Sequence, residues 1–232
     1  MKPKRLNLIK ESFDTLIILD ACRFDTFEKI AYPYLRGTLE KRWSTAYNTP
    51  RWIRYQFRSD PQCFKDITVI TGNSNYSLED KEKLFKKFYH TSLLEFNSDG
   101  GYSPPWTIYE YYQKHKTKDR MWLHFQQPHI PFFNKDKKEI FREQIPGRKY
   151  DNIWQRIWTR ELTLQQVIDG YEENLKTALP YVKKIIEDRT GKTIVCSTHG
   201  NLYKYPYWHF GVPSEYENDE ELRLVPWLII EG

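Results

Sequence analysis

Thr193-Ile194-Val195-Cys196-Ser197-Thr198-His199-Gly200-Asn201 is a short apolar run that stops on a histidine and a glycine. A run this continuous reads as a strand buried on both faces of a largely parallel sheet. Such a strand delivers its terminal polar residues to the carboxyl edge of the sheet, where open α/β folds gather their chemistry. Far upstream, Leu16-Ile17-Ile18-Leu19-Asp20-Ala21-Cys22-Arg23-Phe24-Asp25 repeats the arrangement with a carboxylate at the strand end. An acid from one strand end, with His199 and the later His209 from another, points to a metal or phosphate site assembled by the fold.

Working outward, five apolar runs predict strands: Thr15–Leu19, Ile67–Thr71, Met121–Phe125, Thr193–Ser197 and Leu224–Ile230. Between them, Val167, Tyr171, Leu175, Ala178, Val182 and Ile185 recur at helical spacing, with Pro180 predicting a kink or break. Lys81–Tyr89 and Thr107–His115 predict shorter helices. Strands alternating with helices make an α/β domain, a central, mainly parallel sheet sandwiched by helices. One domain over residues 1–232 is expected. The aperiodic segment 134–162, with Tyr150, Trp154 and Trp158, reads as a lid or insertion after a strand end.

Composition narrows the classes. Aromatic residues make up 16% of the chain, which supplies a core despite a hydrophobic fraction of 39%. The net charge of +5 is spread through mixed clusters such as Glu79-Asp80-Lys81-Glu82-Lys83, the pattern of a solvated face. No nucleic-acid partner is expected on that basis. No apolar run approaches a membrane span, and no secretory segment is read in the opening residues. With the three cysteines Cys22, Cys63 and Cys196 read as free thiols, a cytoplasmic setting is expected.

Several further pieces fall in order: Ser44-Thr45-Ala46-Tyr47-Asn48-Thr49-Pro50-Arg51-Trp52, Gln127-Pro128-His129-Ile130-Pro131-Phe132, Tyr171 to Leu175, and Leu222-Arg223-Leu224-Val225-Pro226-Trp227-Leu228. Together with the two strand ends, they resemble the alkaline phosphatase/sulfatase-like superfamily, and its short sulfatase-like members most. The chain departs from that pattern where the family has Asp-His-Gly-Glu, since it reads Thr198-His199-Gly200-Asn201. The resemblance implies a carboxylate metal ligand where this chain has Thr198, and a neutral hydroxyl is a poor replacement for it.

The same resemblance implies roles residue by residue. Asp20, Thr49, His199 and His209 would be metal ligands, for zinc, manganese, magnesium or calcium. Thr49 and His129 would be catalytic, Thr49 as nucleophile and His129 on a second metal or the substrate anion. From the residues themselves, Thr49 equally suits a Thr-Pro helix start and Asp20 a helix cap. His124 reads as a hydrogen-bonded core histidine, and His90 and His115 as surface residues. Tyr171 and Asn174 read as packing against the strand of His199, and Arg223 and Trp227 as fold signature. A formylglycine signature is absent around Thr49, which argues against a type I sulfatase.

Two functions are compatible with these residues. One is hydrolysis or transfer of phosphate or sulfate esters, on a small anionic or sugar-linked substrate, through a metal-activated threonine. The other is a degenerate, non-catalytic member that binds a ligand or protein, and the loss of the acid at position 198 favours it.

Overall fold

Leu16, Ile17, Ile18 and Leu19 are all fully buried, which requires cover on both faces of their strand. The computed structural model describes residues 3–8, 11–58, 61–78, 80–91, 103–141, 153–204 and 214–232. Among these, ten strands form: β1 (Lys4–Arg5), β2 (Thr15–Asp20), β3 (Thr38–Trp43), β4 (Ile67–Thr71), β5 (Lys87–His90), β6 (Arg120–Pro128), β7 (Phe132–Phe133), β8 (Glu139–Phe141), β9 (Thr193–Ser197) and β10 (Leu224–Ile230). The helices are α1 (Phe24–Ala31), α2 (Thr49–Gln56), α3 (Asn75–Leu78), α4 (Pro105–His115), α5 (Ile153–Trp158), α6 (Leu164–Asp188) and α7 (Glu220–Arg223).

Eight strands form one sheet in the order β1-β3-β10-β9-β2-β6-β4-β5. The pairings of β2 with β6 and β9, of β4 with β5 and β6, and of β1 with β3 are parallel. Only β10 runs the other way, antiparallel to both β3 and β9. The sheet is therefore mixed but mainly parallel. Strand β2 lies at its centre, between β6 and β9, so the ends carrying Asp20, Pro128 and Ser197 lie side by side.

Alternation along the strands divides the core. Leu16, Ile18, Trp122, Ile194 and Cys196 face one layer, with Trp52 and Ile53 of α2 packed over them. Ile17, Leu19, Leu123, Phe125 and Val195 face the other, beneath Phe27 of α1, Tyr112 of α4 and Leu175, Leu179 and Val182 of α6. Each such side chain contributes about 1.5–3 kcal/mol of burial, and that holds the central strands in register.

Some local expectations are corrected. Lys81–Tyr89 is not a helix: a 3-10 turn at Glu82–Leu84 leads into strand β5. Its charged turn hid a strand whose only fully sheltered residue is its last. Helix α6 runs through Pro180 without ending, as Leu175, Ala178, Leu179, Val182 and Ile185 pack on both sides of it. Pro180 and Lys176, whose carbonyl loses its intrahelical donor, are both exposed, so water can serve that carbonyl. Thr163 and Gln166 cap the helix start reciprocally. In the 134–162 segment, β8 pairs with β7, and Ile153 and Leu162 join a small cluster with Phe132 and Tyr171. Trp158 is 75% exposed, while Tyr150 lies outside the described residues.

Candidate active site

Strand β2 ends at Asp20, and the chain then turns through Ala21 at φ 56°. A left-handed alanine is uncommon and needs to be held. Here it is held on several sides. The Ala21 N–H donates to Thr198 Oγ1 at 3.2 Å, and the Cys22 N–H to Ser197 Oγ at 2.8 Å. Tyr171 of α6 donates its hydroxyl proton to the Ala21 carbonyl at 2.7 Å and accepts from the Arg23 N–H at 2.9 Å.

The neighbouring loop is held from the same helix. Asn174 Nδ2 lies 3.0–3.2 Å from the carbonyls of Pro128, His129 and Pro131, and Asn174 Oδ1 accepts from the Phe133 N–H at 3.0 Å. Tyr171 and Asn174 therefore do not serve the strand of His199, as their packing role would have it. They fasten the Asp20 turn and the His129 loop to one helix. Both X-Pro bonds of that loop, Gln127–Pro128 and Ile130–Pro131, are cis.

The Asp20 carboxylate is nearly fully buried and accepts three neutral hydrogen bonds. Oδ1 takes Thr49 Oγ1 at 2.7 Å and Thr198 Oγ1 at 2.5 Å, and Oδ2 takes Asn73 Nδ2 at 2.6 Å. Burial by itself would raise the Asp20 pKa, but His124, His129 and His199 and the Thr198 hydroxyl outweigh it and hold the group below its ordinary value. His199 is fully buried, and burial lowers its pKa to about 4, so it is neutral near pH 7. Its Nδ1 sits 2.6 Å from the Gly200 carbonyl, which can only accept, so Nδ1 carries the proton. The Nε2 lone pair therefore faces Thr49 Oγ1 at 3.1 Å.

Thr49 opens helix α2, whose N-cap is Asn48, accepting from the Arg51 N–H at 3.0 Å. The helix-start reading holds at Thr49, and its hydroxyl also reaches Asp20. Of the nearby hydroxyls, Ser44 bonds the carbonyls of Ala46 and Thr198, and Thr45 accepts from Gln56. Thr49 is the one that reaches Asp20. Asp20 caps no helix, since the N-cap of α1 is Arg23. Arg23 instead pairs with Asp25 at 2.6 Å and Glu221 at 2.9 Å, and Arg223 clamps the Ser44 carbonyl at 2.8 Å and 3.0 Å.

The structure thus brings together Asp20, Thr49 and His199, with His129 beside them through its backbone N–H on the Asp20 carbonyl at 3.2 Å. His209 lies outside the described residues. Sequence reasoning missed Asn73. Thr71-Gly72-Asn73 follows an apolar strand just as Thr198-His199-Gly200 does, and that was the available signal. His90 is corrected as well: it is buried at the end of β5, not on a helical surface. His115 ends helix α4 and stacks on Tyr89, ring centroids 3.9 Å apart.

A divalent ion is the group the resemblance implies, and the donors can be tested for it. Thr49 Oγ1 is 2.7 Å from Asp20 Oδ1 and 3.1 Å from His199 Nε2, and the latter two are 3.7 Å apart. Tetrahedral ligands on zinc stand about 3.3 Å from one another, so three donors converge at suitable spacing. The Nδ1–H bond of His199 to a backbone carbonyl also orients a ligating imidazole in the usual way. Thr198 adds no charge, for its hydroxyl accepts from Ala21 and donates to Asp20. No group of three His, Cys, Asp or Glu able to hold a metal occurs among the described residues. The set offers one carboxylate, one imidazole and one neutral hydroxyl at ligand-like spacing. Asn201, fully buried, has neither side-chain polar atom hydrogen-bonded among the described residues.

The sequence matches no protein-family model and no curated protein. Solved structures do match. The C-terminal periplasmic domain of EcEptC from Escherichia coli, in complex with Zn, superposes with TM-score 0.61 at 11% identity, over 100% of this chain and 77% of that one. The corresponding domain of the phosphoethanolamine transferase EptC from Campylobacter jejuni gives 0.59 at 12%, over 99% and 80%. The Streptococcus pyogenes phosphoglycerol transferase GacH, in complex with sn-glycerol-1-phosphate, gives 0.54 at 10%, over 98% and 69%. At such identities the likeness is one of fold alone, a mainly parallel sheet flanked by helices shared with these solved domains.

Proposed function

We propose that this chain is a phosphate-ester hydrolase or transferase in which Thr49 is the nucleophile. The observation that carries the reading is the Thr49 hydroxyl, bonded to Asp20 Oδ1 at 2.7 Å and faced by His199 Nε2 at 3.1 Å, at the first turn of a helix. The fold is shared with proteins described as phosphoethanolamine and phosphoglycerol transferases, which favours phosphate over sulfate as the esterified anion.

In this reading Thr49 Oγ attacks the phosphorus and the bond to the leaving alcohol breaks, giving a phosphothreonine. The proton that Oγ gives up passes to solvent, and the leaving oxygen takes one from solvent in return. Water or an acceptor alcohol then displaces Thr49. The amino end of α2 favours the negative charge of the ester. His129, in its loop fastened by Asn174, would contact the phosphoryl oxygens, and His209 would join it. Asp20, Thr49 and His199 would hold a divalent ion, which when bound supplies positive charge that makes the threonine hydroxyl more acidic. The segment 134–162 would act as a lid on a single-domain enzyme. A cytoplasmic setting remains part of the reading, supported by the buried free thiols of Cys22 and Cys196, whereas two of the solved neighbours are described as periplasmic.

A second reading, a binding protein without turnover, is favoured by the neutral satisfaction of Asp20 by Thr49, Thr198 and Asn73. One experiment separates them. Protein stripped with chelator and reloaded with zinc or manganese is assayed on p-nitrophenyl phosphate and p-nitrophenyl sulfate. The enzyme reading expects phosphate ester turnover that Thr49→Ala abolishes and Thr49→Ser retains. No turnover of either ester, with a correctly folded protein, supports the binding reading.

A further inference from the structure

Behind Asp20, Trp122, Tyr76 and His124 form a buried chain of hydrogen bonds, and chemistry fixes its direction. The Trp122 indole N–H can only donate, and it lies 3.1 Å from the Tyr76 hydroxyl. Tyr76 therefore accepts there, and its buried proton, with no other acceptor among the described residues, goes to His124 Nδ1, 2.9 Å away. A neutral imidazole whose Nδ1 accepts must carry its proton on Nε2.

His124 is fully buried, and its Nε2 has no hydrogen-bond partner among the described residues. That atom faces Asp20 Oδ2 at 3.9 Å, too far for a direct bond. An orphaned buried donor costs about 1–3 kcal/mol, so its placement beside a carboxylate calls for a ligand. Asp20 Oδ2 has taken one donor, Asn73 Nδ2, and has capacity for another. An oxygen about 2.8 Å from each atom would bridge them at an angle of roughly 90°.

We infer that His124 is a positioning residue whose Nε2–H, set by Trp122 and Tyr76, joins Asp20 Oδ2 in gripping a hydroxyl group, as water or an alcohol. The two partners define the ligand class. It must accept from an N–H and donate to a carboxylate, which a hydroxyl does, while a bare anion is repelled by Asp20. In this tautomer Nε2 offers no lone pair to a cation, so a hydrogen-bonding oxygen is the ligand it suits. The grip on a hydroxyl is the same whether or not Thr49 is a nucleophile.

The test uses the full chain, free of metal, with histidine labelled in ¹⁵N. Long-range proton–nitrogen spectra near neutral pH should show His124 neutral and protonated on Nε2, and Tyr76→Phe should shift it toward a mixture of tautomers. A crystal structure that resolves solvent should then show an oxygen within hydrogen-bond distance of both His124 Nε2 and Asp20 Oδ2. His124→Gln, which keeps an N–H near that place, should retain the oxygen, and His124→Leu should lose it. A proton on Nδ1, an imidazolium, a direct His124–Asp20 bond, or the oxygen unchanged in His124→Leu would each overturn the inference. The spectra of the unaltered protein decide the tautomer even if a variant fails to fold.

Discussion

The Tyr171 hydroxyl reaches across from helix α6 to donate to the carbonyl of Ala21, 2.7 Å away, the residue that turns the chain just past Asp20. The same oxygen accepts from the Arg23 N–H, so one side chain spans the whole turn. Tyr171→Phe removes both bonds and leaves a buried carbonyl unpaired. Urea unfolding should show a loss of about 1–3 kcal/mol. Because the turn positions Asp20, the variant should also bind metal more weakly, which a change confined to packing would not produce.

Gly200 marks a close approach of two backbones. A Cβ there would stand 1.9 Å from the Glu221 carbonyl oxygen, while the Gly200 N–H donates to the Leu222 carbonyl at 2.8 Å. Neither partner can withdraw without moving α7 or the end of β9. Gly200→Ala should therefore cost more than about 3 kcal/mol, seen as a large fall in thermal midpoint or as loss of soluble protein.

Thr198→Asp has opposite effects with and without metal. In chelator the new carboxylate stands against Asp20, where the Thr198 hydroxyl now donates at 2.5 Å, so the thermal midpoint should fall. With zinc or manganese the added charged ligand should raise affinity at least about tenfold by calorimetry and reverse that fall. Tight stoichiometric binding by the unaltered protein would show that another residue supplies the missing charge.

Stability should also depend on pH in a definite window. His124 and His199 have folded pKa values of about 4 against an ordinary 6.5, both lowered by burial. Between those values the unfolded chain binds more protons than the folded one, so stability falls as pH falls from about 6.5 toward 4. Each histidine accounts for on the order of 3 kcal/mol at full shift. Asp20, held below its ordinary value, adds a further loss at lower pH as it becomes protonated. Urea midpoints of the metal-free protein, measured across that range, check this, and His124→Leu should flatten part of the slope.

Much of this molecule was legible in the chain alone. Strands buried on both faces must be continuously apolar, so Leu16 to Leu19 and Thr193 to Ser197 announced the central sheet, and the polar residue ending each run, Asp20 or His199, announced the site edge. The sheet margins were not legible, because β3 and β5 are half-exposed and carry charges such as Lys41, Arg42 and Lys87. Proline's effect on α6 was likewise undecidable locally, for packing along one face outweighs a single lost hydrogen bond. Only the tertiary structure set Asn73 on Asp20, made Tyr171 and Asn174 the fastenings of two loops, and turned His124 from core filling into a directed donor. Those roles depend on which atoms meet across elements far apart in sequence, and on the tautomer a buried neighbour imposes, neither of which any local pattern of residues encodes.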